Sequence, residues 1–371
     1  MEILSFLWTY AVPFLVLLTV LVFVHELGHY LIARRCGVRV EVFSIGFGPE
    51  IFGWTDKAET RWKFSAIPLG GYVKMFGDAD FASRPSAELA RMNPKELDQA
   101  FHLKSLGQRS WIVAGGPLAN FIFAFVAFGV LYAAYGERIA VSTEPAQVGL
   151  VEPGSPADRG GLETDDRILS IGSVPVADFE DIVAQVEGAP GQSLDFVVRR
   201  GEEEVALVIV PELRTVADPD GTQRQVGRIG ISNRRIEYQP VEALDVVWKA
   251  GWETVRVTGF VLQVVGEFIT GSRDTKELAG PLGIAQMSGQ MAERGFDQAI
   301  LLAAYLSINL GLLNLFPIPM LDGGHLLFYA IERVRGRPLG QRAQEYGFRI
   351  GLALVLALMF FATVNDILRL I

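Results

Sequence analysis

Of the four histidines in this 371-residue chain, two stand four residues apart in His25-Glu26-Leu27-Gly28-His29. A helix places side chains at i and i+4 one above the other on one face, so both imidazoles can reach a single ion. Neutral imidazole suits Zn²⁺, and a glutamate directly after the first histidine can serve as general base to water on such a metal. These five residues lie inside an apolar run from about Ile3 to Ala33. Ionisable side chains are costly there and usually mark a functional site. That weakens the plainer alternative, in which they are satisfied polar residues on a helix-packing face.

Two histidines do not complete a catalytic zinc site, which takes three protein ligands and a water. The candidates for the third are His102, His325 and the carboxylates. A second cluster runs Asn314-Leu-Phe-Pro317-Ile-Pro319-Met-Leu321-Asp322-Gly323-Gly324-His325. Pro317 and Pro319 end a regular helix, and the glycine pair permits a sharp turn. Broken backbone at membrane depth is tolerated where it is buried in protein or lines a wet cavity. Asp322 is an acid there with no basic neighbour, although an Asp-Gly pair equally suits an ordinary helix-terminating turn. His102 reads as a surface residue, and His325 as support for the cluster ahead of a ligand.

The elements that must position these groups follow from composition. Half of the residues are hydrophobic and 20% are charged, against about 25% charged in soluble chains. Net charge −9 gives no support for nucleic-acid binding. The single cysteine, Cys36, excludes an internal disulfide and a multi-cysteine metal site. Four segments meet the requirement of about 20 apolar residues for a spanning helix. They are Ile3–Ala33, Trp111–Tyr135, Ala299–Leu321 and Phe348–Leu370. The first lacks the basic start and cleavage site of a signal peptide and reads as a retained helix.

Segments 34–110 and 332–350 carry excess Lys/Arg, whereas 136–298 holds 15 Lys/Arg against 27 Asp/Glu. The positive-inside rule then places the basic segments in the cytoplasm and both termini outside. The rather apolar stretch 254–271 is interrupted by Arg256 and Glu267 and reads as a helix in the outer interface. On that topology His25, His29 and Asp322 all fall at cytoplasmic ends of helices running the same way. Residues 40–76 alternate like two strands around a turn at Asp56-Lys57, and 78–105, with Arg84-Pro-Ser and Met92-Asn-Pro-Lys, read as a polar cytoplasmic loop with a short helix.

The two clusters together resemble the signatures of the site-2 protease family of intramembrane zinc metalloproteases, close to its bacterial regulator-of-sigma-E branch. Gly46-Phe47-Gly48, Ile67-Pro-Leu-Gly-Gly-Tyr-Val-Lys74, Gly115-Gly-Pro-Leu-Ala-Asn120 and Gly280-Pro-Leu-Gly-Ile284 are further likenesses. The resemblance implies that His25, His29 and Asp322 bind Zn²⁺, that Glu26 is the catalytic base, and that Asn314 helps hold substrate. It also implies a membrane-associated hairpin over about 40–76, punctuated by Gly46, Gly48, Gly70 and Gly71, whose edge pairs with unwound substrate. Residues 138–235, with Val151-Glu-Pro-Gly-Ser-Pro-Ala157 and Gly227-Arg-Ile-Gly-Ile231, resemble a single periplasmic PDZ domain.

The fold expected is therefore a membrane α-helical bundle of four transmembrane helices with a membrane-associated β-hairpin and one extracytoplasmic mixed α/β PDZ domain. Residues 1–135 carry the first two helices, 236–298 an interfacial linker, and 299–371 the last two. The implied setting is a bacterial inner membrane, with the active site towards the cytoplasm. The implied substrates are single-pass membrane proteins already trimmed by another protease, such as anti-sigma factors, or signal-peptide remnants. The PDZ domain would bind peptide tails or act as a size filter. The competing reading is a catalytically silent membrane-anchored PDZ adaptor with a structural metal site.

Overall fold

The computed structural model describes residues 7–77, 93–217, 223–273, 275 and 278–370. The start of the first helix at Ile3 and most of the polar loop, including Arg84 and Met92, lie outside the described residues. The chain forms two compact units, residues 1–134 with 242–371, and residues 135–241.

Among the described residues of the first unit, four helical stretches are long and apolar enough to cross a membrane: Trp8–Arg35, Leu106–Ala134, Phe296–Leu315 and Arg342–Arg369. They belong to α1 (Val12–Arg35, after a π-helical turn Leu7–Ala11), α2 (Leu106–Ala134), α6 (Phe296–Leu315) and α8 (Gln341–Leu370). The third stops at Leu315, short of the expected Leu321. Pro317 and Pro319 lack the N–H groups that further turns would use.

Between α1 and α2 the backbones touch: a Cβ on Gly28 would fall 2.1 Å from Gly115 O and 2.7 Å from Ala119 Cβ. On its other side α2 meets α6, where Ser307 Oγ donates to Asn120 O at 2.9 Å. The stretch 254–271 belongs to a longer helix, α4 (Ala243–Thr270). Its buried Ala250 and Val257 pack with Ala124, Ala127 and Phe128 of α2 and with Ala304 and Ile308 of α6. After α4 comes α5 (Pro281–Arg294). Asp366 of α8 accepts from Gly280 N at 2.9 Å and Gly283 N at 3.0 Å, satisfying donors at the start of α5. Helix α7 (Asp322–Arg335) lies between α6 and α8 in sequence. Its Glu332 accepts from the two terminal guanidinium nitrogens of Arg109, at 2.6 and 3.3 Å, binding α7 to the start of α2.

Strands β1 (Val40–Thr55) and β2 (Arg61–Met75) are antiparallel partners, but each bends back on itself. Ile45 pairs with both Phe64 and Gly71, while Trp54 pairs with Trp62. Four strand segments result, in the order 50–55, 61–65, 40–45, 71–75. The bends fall at Gly46, Gly48 and Gly70, with φ of 87°, 86° and 131°, values that side chains with a Cβ rarely adopt. The turn is held by Asp56, which accepts from Ala58 N, Thr60 N, Trp62 Nε1 and, on α1, Tyr30 OH. Burial acts to raise the Asp56 pKa, but these donors outweigh it and hold it below the usual carboxylate value.

The second unit is β-rich. Its largest sheet has the order β6 (Val174–Pro175), β5 (Arg167–Ile171), β7 (Leu194–Arg200), β8 (Glu203–Ile209). Earlier in the chain, β3 (Glu137–Ser142) and β4 (Leu150–Val151) pair with β12 (Arg234–Gln239) and β11 (Ile231–Ser232). Helix α3 (Phe179–Glu187) opens with an Asp178–Asp181 capping box. β9 (Glu212–Ala217) pairs with β10 (Gln223–Arg228), and Gly227-Arg-Ile-Gly-Ile231 forms the end of β10, a turn at Gly230 (φ 77°) and the start of β11. The core holds Val148, Ile168, Ile182, Phe196, Val198 and Ile209.

Asp166, 1% exposed, receives Arg200 Nε at 2.8 Å and Nη2 at 2.7 Å. Replacing Arg200 with Leu leaves that carboxylate without its cation. The expected cost is about 3 kcal/mol, read as faster hydrogen exchange across β5 and β7 in the full-length chain, with α1 and α2 unaffected.

Candidate metal centre

His25 and His29 are both buried on α1, and their Nε2 atoms lie 3.2 Å apart. Asp322, the first residue of α7, completes a triangle. Its Oδ2 is 3.2 Å from His25 Nε2 and its Oδ1 is 3.5 Å from His29 Nε2. Donor atoms bound to zinc at about 2.0–2.1 Å in tetrahedral geometry stand about 3.3 Å apart, so the spacing fits that ion. Asp322 Oδ2 is buried with no hydrogen-bond partner, as a ligand atom would be. No other group of three His, Cys, Asp or Glu among the described residues offers donors this close.

Asp322 reaches the histidines through a tight reversal after α6. Cβ atoms on Gly323 and Gly324 would fall 2.2 Å from Leu315 O and 2.4 Å from Ile318 O, so the turn exists only with glycine at both places. Met320 within it has φ 91°, a strained value for a residue with a side chain. Helix α8 backs the turn, with Gly351 so close to the Pro319 carbonyl that a Cβ would overlap it.

Each histidine is met from behind by α2. His29 Nδ1 donates to Ile112 O at 2.9 Å, and His25 Nδ1 lies 3.1 Å from the amide of Asn120. Such partners fix ring orientation at metal sites. Gly116 leaves the rings their space, since a Cβ there would sit 2.3 Å from His29 Nε2 and 2.8 Å from His25 Cε1. Glu26 stands between the histidines in sequence. A Cβ on Gly71 of the 71–75 strand segment would lie 2.8 Å from Val22 Cγ1 and 3.2 Å from Glu26 Cγ. That segment therefore runs directly beside Glu26.

The remaining sequence candidates fall as follows. Asn314 is half-buried in the last turn of α6. Gly46, Gly48 and Gly70 are bend positions of the strands. The His325 ring packs on Phe348 of α8 at 5.4 Å, outside the triad. His102 sits in a 3₁₀ turn, Phe101–Leu103. Sequence reasoning marked Gly116 and Asn120 only as part of the Gly115–Asn120 likeness, without a role, and missed the Ile112 carbonyl. Asn120, a polar side chain within an apolar span, was a visible signal beside that motif.

Residues 13–358 match the family described as "Peptidase family M50", and the chain belongs to that family, the site-2 proteases. Relatives extend along nearly the whole chain. A protein of Agrobacterium fabrum named as a candidate zinc metalloprotease is 48% identical over 379 residues, covering 99% of this chain and 98% of its own. A similarly named protein of Rhizobium meliloti is 45% identical, with 96% of each chain covered. Metalloprotease MmpA of Caulobacter vibrioides is 36% identical, covering 96% of this chain and 95% of its own. A solved PDZ domain of an SdrC-like protein from Listeria monocytogenes aligns with 25% of this chain at 19% identity and a TM-score of 0.19, too slight a likeness to bear on the fold.

Gly116→Ala is expected to displace both imidazoles and abolish zinc retention. Metal analysis of the purified protein measures this: wild type near one zinc per chain, the variant near none.

Proposed function

We propose that this multi-pass membrane protein is an intramembrane zinc metalloendopeptidase that cuts the transmembrane segments of single-pass proteins. The observation that carries the reading is the convergence of His25 Nε2, His29 Nε2 and the Asp322 carboxylate on one point, with Glu26 between the histidines on the same helix. The enzyme is a zinc metalloprotease of the site-2 type, with zinc held by His25, His29 and Asp322. Zinc there supplies Lewis acidity, which makes water a nucleophile near neutral pH.

The chain's own groups do the rest. Glu26 takes the proton from the attacking water and passes it to the leaving amine. The 71–75 segment is an edge beside Glu26, so an unwound substrate strand adding there would bring its carbonyl within reach of the water that Glu26 deprotonates. A helical substrate hides its carbonyls in its own hydrogen bonds, and strand addition opens them. Gly46, Gly48, Gly70 and Gly71 give that sheet its bends and its close approach to α1, and Asn314 takes part in holding substrate.

Anti-sigma factors and signal-peptide remnants, trimmed first by another protease, are the substrate class. The β-rich unit serves as a periplasmic PDZ domain for peptide tails or as a size filter. The setting is a bacterial inner membrane with both termini periplasmic and the active site towards the cytoplasmic face.

Glu26→Gln keeps a side chain of the same shape but cannot take a proton. In liposomes with a tagged single-pass substrate, wild type is expected to cut within the membrane segment. The variant should retain its zinc and lose activity by a factor of at least about 10². A Glu26→Gln protein that cuts at the wild-type rate removes Glu26 from the base role.

A further inference from the structure

Helix α2 gives the metal centre no ligand, yet it meets the back nitrogen of both histidines. We infer that Asn120 is a positioning residue for zinc: its side-chain carbonyl accepts a hydrogen bond from His25 Nδ1–H and so leaves Nε2 of His25 free to ligate. The inference rests on the zinc-protease reading above and adds a residue to it.

At His29 the tautomer follows from chemistry alone. A backbone carbonyl only accepts, so the Nδ1 facing Ile112 O at 2.9 Å carries the hydrogen. Nε2 of that ring then presents its lone pair to the cluster. His25 must do the same if both rings are to hold one ion, and what settles it is the group at its Nδ1. An amide nitrogen at 3.1 Å would donate to Nδ1 and force the ring hydrogen onto Nε2, pointing into the space between His29 and Asp322. It would also leave Oδ1 of Asn120, a residue 0% exposed, without a partner.

Turning the amide half a revolution exchanges oxygen for nitrogen at nearly the same positions. Oδ1 then receives Nδ1–H and His25 Nε2 is released, with the amide nitrogen moved to the place Oδ1 held. The side chain is well placed for the task. Ser307 Oγ donates to the Asn120 backbone carbonyl, and Gly311 on α6 comes close enough that a Cβ there would lie 3.1 Å from Asn120 Cβ. Ile112 and Asn120, about two turns apart on one helix, thus set the tautomers of both ligands.

The test is a zinc titration of purified full-length protein in detergent, stripped of metal and competed against a chromophoric chelator. Asn120→Ala is expected to weaken zinc binding about 10–100-fold. Asn120→Asp supplies an oxygen acceptor at the same place and is expected to hold zinc at least as tightly as wild type. Wild-type affinity in Asn120→Ala, or a loss in Asn120→Asp as large as in Asn120→Ala, overturns the inference. Thermal unfolding of the metal-free forms checks that each variant is folded. If Asn120→Ala is not, Asn120→Asp decides: retained zinc supports the role and lost zinc refutes it. A wild type that takes up no zinc at all overturns both this inference and the metalloprotease reading, whereas the other failures leave that reading standing.

Discussion

The close passage of Gly28 over Gly115 governs the geometry of everything that touches the metal centre. Neither position tolerates a Cβ, because each would meet the other helix's backbone within 2.7 Å. Apolar surroundings supply no hydrophobic drive between helices, so small residues that let backbones approach are what holds such a crossing together. The histidines flank Gly28 on α1, so the same contact presses both rings against α2. Only then does the Ile112 carbonyl come within 2.9 Å of His29. A single methyl at the crossing would part the helices and take away that partner, leaving the imidazoles free to rotate.

Asp322, the third candidate ligand, depends on a different contact. Asp322 is delivered by a reversal that includes a strained Met320 and two glycines packed onto carbonyls. Such a turn persists only where its surroundings over-determine it. Here the surroundings are α8, whose Gly351 sits on the Pro319 carbonyl. At its other end α8 is seated by Asp366 in the first turn of α5, and Asn365 donates to Thr275 O at 2.8 Å. The Arg109–Glu332 pair draws α7 onto α2 from the opposite side. The carboxylate and the imidazoles thus come from separate elements, and their agreement to within a few tenths of an ångström is a property of helix packing.

Much of this was legible in the residues, and what was not has a physical reason. His25-Glu26-x-x-His29 announces a face and a chemistry at once, and the Pro317–Pro319 and Gly323-Gly324 pairs announce a break and a turn. Apolar runs gave the four long helices, with ends displaced because flanking polar residues such as Gln108 and Arg342 continue the helices past the apolar stretch. The folded-over strands were hidden. Alternation reports which face a residue occupies but not that Ile45 has a partner on both sides. The stretch 254–271 shows in sequence as a helix suited to the outer interface, but the packing of Ala250 and Val257 against α2 and α6 does not show there. Least visible were the groups behind the ligands, because a backbone carbonyl such as that of Ile112 has no identity in a sequence. Asn120 had one, but only the fold puts it opposite His25.

Charge balance explains why such a cluster can be tolerated at all among apolar helices. Two neutral imidazoles and two carboxylates, Asp322 and Glu26, carry a formal charge of about −2 between them when both acids are ionised. No lysine or arginine comes from α1 between Trp8 and Ala33, or from α2 between Trp111 and Ala134, to offset it. Burying that charge unpaired would cost many kcal/mol. A divalent cation neutralises it in one step and gives each donor atom a partner, including the otherwise unsatisfied Asp322 Oδ2. The same arithmetic disfavours a monovalent ion, which would leave a net charge buried, and imidazole nitrogen disfavours the hard cations that prefer oxygen. Zinc would satisfy the charge, the donor type and the spacing together.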